Sequence, residues 1–97
     1  MNRIEAFHSS VASEEAPPAG YTPAIQALWW DARGDWHRAH EATQEDSGQA
    51  VSWVHAFLHR KEGDLSNAGY WYARAGRVAA SGSLDAERDA ILAELLG

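Results

Sequence analysis

The chain has 97 residues, 45% of them hydrophobic, and a formal net charge of -6. That length makes one domain with a limited core, and eight Lys and Arg scattered among fourteen acids exclude the positive field that a nucleic-acid partner needs. No apolar run approaches the roughly 20 residues of a membrane-spanning helix, and without cysteine there is neither a disulfide nor a thiolate site.

Residues 1–21 are polar, small and proline-bearing. MNRIEAFHSSVASEE lacks the apolar block of a secretory signal, so a cytoplasmic location is expected. Ile4, Phe7 and Val11 sit at helical spacing, so a short amphipathic turn could dock, but Ala16-Pro17-Pro18-Ala19-Gly20 is a break, because proline disfavours helix just before it. The stretch reads as a mobile arm ahead of a helical domain over residues 22–97.

Thr22-Pro23 is a helix start, with Thr as N-cap and Pro at the first helical position. This helix runs to about Arg33, where Gly34 stops it, and Asp35 caps a second one to about Glu45. Asp46-Ser47-Gly48 is a turn, with Ser47 the expected cap of a third helix to about Glu62. Gly63 and Asp64 repeat the stop-and-cap device, and a fourth helix follows to about Ala75. After a loop from Gly76 to Gly82, with a short turn at Val78-Ala79-Ala80, Ser83 caps the last helix. There Leu84, Arg88, Ile91 and Leu95 form one stripe, with Leu92 and Leu96 beside it. No segment alternates with period two over more than a few residues. The expectation is an all-α domain of about five helices, stacked as antiparallel hairpins.

All five tryptophans and four of the five histidines lie between Trp29 and Tyr72. Within that stretch Gly34-Asp35-Trp36-x-x-Ala39 recurs as Gly63-Asp64-Leu65-x-x-Ala68, 29 residues later. The Gly-Asp-Leu-x-x-Ala-x-x-x-Tyr pattern from Gly63 to Tyr72, followed by Ala75, resembles the turn and second helix of a tetratricopeptide repeat. Ala68-x-x-Trp71-Tyr72-x-x-Ala75 is similar to the related Sel1-like repeat. The first copy is poorer, because Thr43 and Asp46 stand where the later aromatic and alanine would be. The resemblance covers roughly residues 22–76, and its offset is shorter than the usual ~34 of the tetratricopeptide unit. It implies a scaffold with a protein- or peptide-binding surface, and no chemistry. WVHAFLHRKEGDLSNAGYWY also resembles a family of small uncharacterised bacterial proteins, which adds no activity.

Two hairpins leave their outer faces uncovered. The last helix caps one end, and the other is covered by the N-terminal arm or by self-association. A homodimer through Leu92, Leu95 and Leu96, or through the open face of the first hairpin, is one expectation.

The histidines fall into stripes. Ser52, His55, His59 and Glu62 share one side of the third helix, and His37, His40, Glu41 and Gln44 share one side of the second. Counting outward from Ser47, His40 is seven residues before it and His55 eight after it. An antiparallel turn therefore brings them to one height, with Glu41 close by. Adjacent Trp29 and Trp30 cannot both face inward, so one lies near the surface. The candidate crevice comprises His40, Glu41, His55, His59 and Trp30.

His55 and His59 could ligate one ion with His40 or Glu41 as third ligand, and zinc is the metal such a donor set fits. No Glu follows the first His of the His55-x-x-x-His59 pair, so no metal signature is complete and no cofactor is called. The same residues are equally a metal-free pocket or a buried hydrogen-bond network. There is no Gly-rich phosphate loop, no Gly-x-Ser-x-Gly elbow and no Cys nucleophile, and helical Ser52 lacks an oxyanion site. The leading expectation is a small non-enzymatic scaffold that binds a protein or peptide. The alternatives are a metal-dependent or small-molecule-binding activity at His40, His55 and His59, and a structural homodimer subunit.

Overall fold

Helix starts are set by side-chain oxygens at the expected places. Thr22, Asp35, Asp64 and Ser83 each accept from the backbone N–H three residues on, satisfying one donor that a helix N-terminus leaves free. A computed structural model describes residues 2–97, and every regular element among them is helical. The order is α1 (Arg3–Ser13), α2 (Pro23–Ala32), α3 (Trp36–Ala42) running into a 3₁₀ turn (Thr43–Glu45), α4 (Gln49–Lys61), α5 (Leu65–Ala75) and α6 (Leu84–Leu96). None of these helices is long and apolar enough to cross a membrane.

Two hairpins, α2–α3 and α4–α5, turn on glycines in the left-handed region, Gly34 at φ +83° and Gly63 at φ +89°. At each, the glycine N–H bonds the carbonyl three residues back, and the following aspartate N–H bonds the one five back, Trp30 or His59. That is a Schellman closure, which satisfies free carbonyls at a helix end and requires a residue without a Cβ penalty.

Helix α4 is the axis of the fold. Its residues from Val51 to His59 are all buried, enclosed by α2, α3, α5 and α6. A helix covered on all sides is core, and that is how polar His55 and His59 come to be interior. Ala68 of α5 is 2% exposed where α5 lies against α4. Ala68→Leu should therefore overpack the hairpin and cost roughly 1–3 kcal/mol. Urea unfolding checks this, and a variant as stable as the parent would remove Ala68 from the close contact.

The structure departs from the sequence reading in several places. The expected N-terminal arm contains a sixth helix, α1, and Phe7 on it is fully buried. Tertiary partners hold it: Trp29 Nε1 donates to Ser10 Oγ at 2.9 Å, and the Arg33 guanidinium donates to the carbonyls of Val11 and Glu14 at its end. Leu92 and Leu96 are buried within the chain, at 1% and 3% exposure, as α6 packs on α1, α2 and α4. The face expected to meet a second copy is thus an intramolecular one, and Leu95 stays half-buried. Ser47 does not cap α4. Gly48 holds that position without a side-chain bond, while Asp46 Oδ1 accepts from the N–H groups of Ser47 and Gly48. Val78-Ala79-Ala80 is irregular.

A buried polar knot fixes α6 in place. The Glu87 carboxylate accepts from Trp53 Nε1 at 3.1 Å, the Tyr72 hydroxyl at 2.6 Å and Arg60 Nη1 at 3.0 Å. Burial first, then the bond to Glu87, holds the Tyr72 hydroxyl well above the ordinary tyrosine range.

Candidate functional site

Helix α3 supplies His40, and one face of α4 supplies His55 and His59, four residues apart. The 3₁₀ turn and the Asp46 loop fold α4 back along α3, so the three rings converge. His40 Nε2 and His55 Nε2 are 2.9 Å apart, and one ring nitrogen from each of the three histidines lies within 4.8 Å of the other two. His55 and His59 are each 6% exposed, while His40 is half-buried and forms the open side of the cluster.

Two tryptophans wall the rings. Trp36 stacks on His40 with centroids 5.0 Å apart, and its Nε1 donates to the Leu58 carbonyl at 3.0 Å. Trp71 stacks on His55 at 3.8 Å. His59 Nδ1 meets Glu62 Oε1 at 2.6 Å, so this nitrogen carries the proton and donates to the carboxylate. The His59 tautomer is thereby set.

Electrostatics follow from that packing. Burial, reinforced by His40 and His59, lowers His55 to about 4. Burial also lowers His40, with His59 and His37 acting in the same direction and Glu62 against them. His55 is therefore neutral at physiological pH. A base that weak is poorly matched to proton transfer near neutrality, where a pKa close to the operating pH works best. Neutral imidazole is instead a lone-pair donor, suited to a metal or to a hydrogen bond.

The sequence-expected residues divide. His40, His55 and His59 come together. Glu41 is exposed and outside the cluster, because its place on α3 points it to solvent one residue beyond His40. Trp30 is half-buried elsewhere, edge-on to fully buried Trp29 and beneath the Arg38 guanidinium at 4.7 Å. Ser52 is beside the site, but its hydroxyl donates to the Gly48 carbonyl at 2.9 Å. Trp36, Trp71 and Glu62 are the partners absent from the expected set. Glu62 was legible as a member of the His55–His59 stripe and Trp36 from its place four residues before His40 on α3, whereas nothing local assigns Trp71 to the site.

Open space lies one helix over from the expected crevice. The histidines fill the gap between α3 and α4, and a crevice of about 270 Å³ opens beside them between the 3₁₀ turn, α4 and α5. Thr43, Val51, Ser52, His55, Trp71 and Arg74 line it, with Asp46 at its rim. Of these lining residues, Arg74 holds its guanidinium 5.3 Å from the Trp71 ring centre and 5.9 Å from that of neighbouring Tyr70. Comparison with protein families, curated proteins and solved structures finds no match to this chain.

Proposed function

We propose that this chain is a non-enzymatic helical-hairpin scaffold of the tetratricopeptide-like kind, acting in the cytoplasm by binding a protein or peptide. The observation that carries the reading is the α5 cluster of Tyr70, Trp71 and Arg74, of which Trp71 and Arg74 line the α4–α5 crevice. Tyr70 is 55% exposed, and Arg74 Nη1 donates to its hydroxyl at 3.2 Å. Tyrosine, tryptophan and arginine are the residues that most often dominate binding interfaces. Trp71 is held rigid by its stack on His55, which lowers the entropy lost on docking.

The chemistry of the crevice points to its occupant. Val51 and Trp71 offer an apolar wall for an aliphatic or aromatic side chain, and Arg74 stands where it can meet an adjacent carboxylate. A partner segment pairing a bulky apolar residue with an acidic one fits. The shallower depression of about 550 Å³ between the Gly76–Gly82 loop and α6 is less suited, because Arg77 already covers Trp53 there at 3.5 Å.

A display library of random peptides, selected against the full chain, tests the reading. Enriched peptides should share an apolar–acidic pair, and Trp71→Ala should weaken them by about 30-fold, the effect of a residue that dominates an interface. Failure to enrich any sequence, or binding indifferent to both Trp71→Ala and Arg74→Ala, would reject it.

A further inference from the structure

We propose that His40, His55 and His59 form a three-imidazole site for a divalent transition metal of the zinc class, with Glu62 as the positioning residue. The observations that carry this are the convergence of three ring nitrogens from two helices within 4.8 Å and the carboxylate hydrogen bond on His59 Nδ1.

The proton inventory favours an ion over a self-satisfied network. Donation of the His59 Nδ1 proton to Glu62 leaves Nε2 as the nitrogen that ligates. This is the carboxylate–histidine arrangement that orients metal ligands and raises their basicity. His40 Nε2 and His55 Nε2, at 2.9 Å, share a single proton between them. Transfer of that proton to Nδ1 of the ring that holds it frees both Nε2 lone pairs, and an ion then gains three neutral nitrogen donors.

Geometry and enclosure agree with this. Zinc–imidazole bonds of about 2.0–2.1 Å require ligand nitrogens that nearly touch, as those of His40 and His55 do. Trp36 and Trp71 fix two of the rings from outside, so little side-chain order remains to be gained on binding. Half-buried His40 leaves a way in. Three nitrogen ligands leave one coordination position open, and imidazole donors suit zinc, copper and nickel over magnesium or calcium.

A neighbouring set, His59, Glu62 and Asp64, also has ligand atoms within 4.8 Å, but it is the weaker choice. Asp64 is exposed and its carboxylate caps α5 by accepting from the Asn67 N–H, while Glu62 is bonded to His59.

The test is titration of the chelator-stripped full chain with Co²⁺, read by visible absorption, and then with Zn²⁺. One Co²⁺ per chain should bind with the bands of a nitrogen-rich four-coordinate site, and Zn²⁺ should displace it. Glu62→Ala, at an exposed position, should weaken binding about 10–100-fold while keeping one ion per chain. His40→Gln and His59→Gln should each weaken it by roughly 100-fold or more, since losing a ligand costs at least what losing its orienting partner does. His37→Gln should change nothing. Circular dichroism establishes that each variant is folded, and half-exposed His40 gives a readable result even if His59→Gln does not fold. Absence of saturable binding, or affinity unmoved by His40→Gln, overturns the proposal, as does loss on His37→Gln. Trp71 and His55 border both places, but peptide docking turns on Arg74 and the apolar wall and the ion on imidazole nitrogens, so Arg74→Ala and His40→Gln let either reading fail without the other.

Discussion

Glu87→Ala is expected to remove about 3–5 kcal/mol of stability, the usual cost of breaking a buried ion pair from one side. For a chain of this length the total is only roughly 5–15 kcal/mol, so the variant should sit near the edge of folding. The reason is that one carboxylate serves three partners. The Glu87 side chain is 3% exposed and that of Arg60 14%, and the same carboxylate bonds Trp53 Nε1 and the Tyr72 hydroxyl. Alanine strands all three donors at once, and an unpaired buried polar group costs more than the bond was worth. Arg60 retains a second acceptor, the Gly82 carbonyl. Glu87→Gln keeps an acceptor and should lose about 1–3 kcal/mol, while Arg60→Met added to Glu87→Ala should recover part of the loss by removing the stranded guanidinium. Urea unfolding followed by circular dichroism orders the series. A Glu87→Ala variant within about 1 kcal/mol of the parent would show that water satisfies these donors. Ultraviolet titration adds a local readout, since in that variant Tyr72 should keep the part of its raised pKa due to burial and lose the part due to Glu87.

Legibility of this fold tracked the range of the interaction. Signals that act within a few residues were readable: the Asp35 and Asp64 caps, the Thr22-Pro23 start, and the stops at Gly34 and Gly63 are local chemistry. The meeting of His40 with His55 was readable too, because a short antiparallel turn makes contact a matter of counting from Ser47. Longer-range pairings were not. The Asn2-x-x-Glu5 spacing is a capping-box signature, and that box forms. What holds α1 in place, though, is Trp29 and Arg33, 19 to 22 residues away. Glu87 carries the same lesson, for on its own helix it reads as a solvated acid and its partners on α4 and α5 make it interior. The site follows the rule. The two α4 histidines and Glu62 share a helix face visible in the sequence, whereas Trp71 reaches the site through the packing of α5. Adjacency of Trp29 and Trp30 shows only that one of the two rings must leave the core, and not which tryptophan faces the histidines; Trp36, four residues before His40 on α3, does.

Acid should destabilise the chain through His55 before the carboxylates contribute. In the unfolded chain this imidazole titrates at its ordinary 6.5, and in the fold it is lowered to about 4. Between these values the unfolded chain binds the extra proton, so stability rises with pH. The contribution is complete above about pH 6.5 and is lost as pH falls toward 4. The full difference corresponds to about 3 kcal/mol at 1.36 kcal/mol per pKa unit, and the open side at half-buried His40 reduces the expectation to about 2 kcal/mol. His40, itself lowered, acts in the same direction. The groups facing the ring explain the sign: His40 from α3 and His59 from α4 disfavour a charge on it, and Trp71 of α5 covers its face without offering an acceptor. Arg74, farther along α5, adds positive charge at the crevice mouth, and Glu62 bonds His59 instead. His55→Phe keeps the stack on Trp71 but removes the titration. Urea unfolding at about pH 7 and pH 4.5 should show the parent losing about 2 kcal/mol more than this variant over that interval. Equal losses would mean that His55 is solvated in the folded chain. Zn²⁺ bound to the same imidazoles would steepen the parent's slope further, because each ligand must then release its metal before it takes a proton.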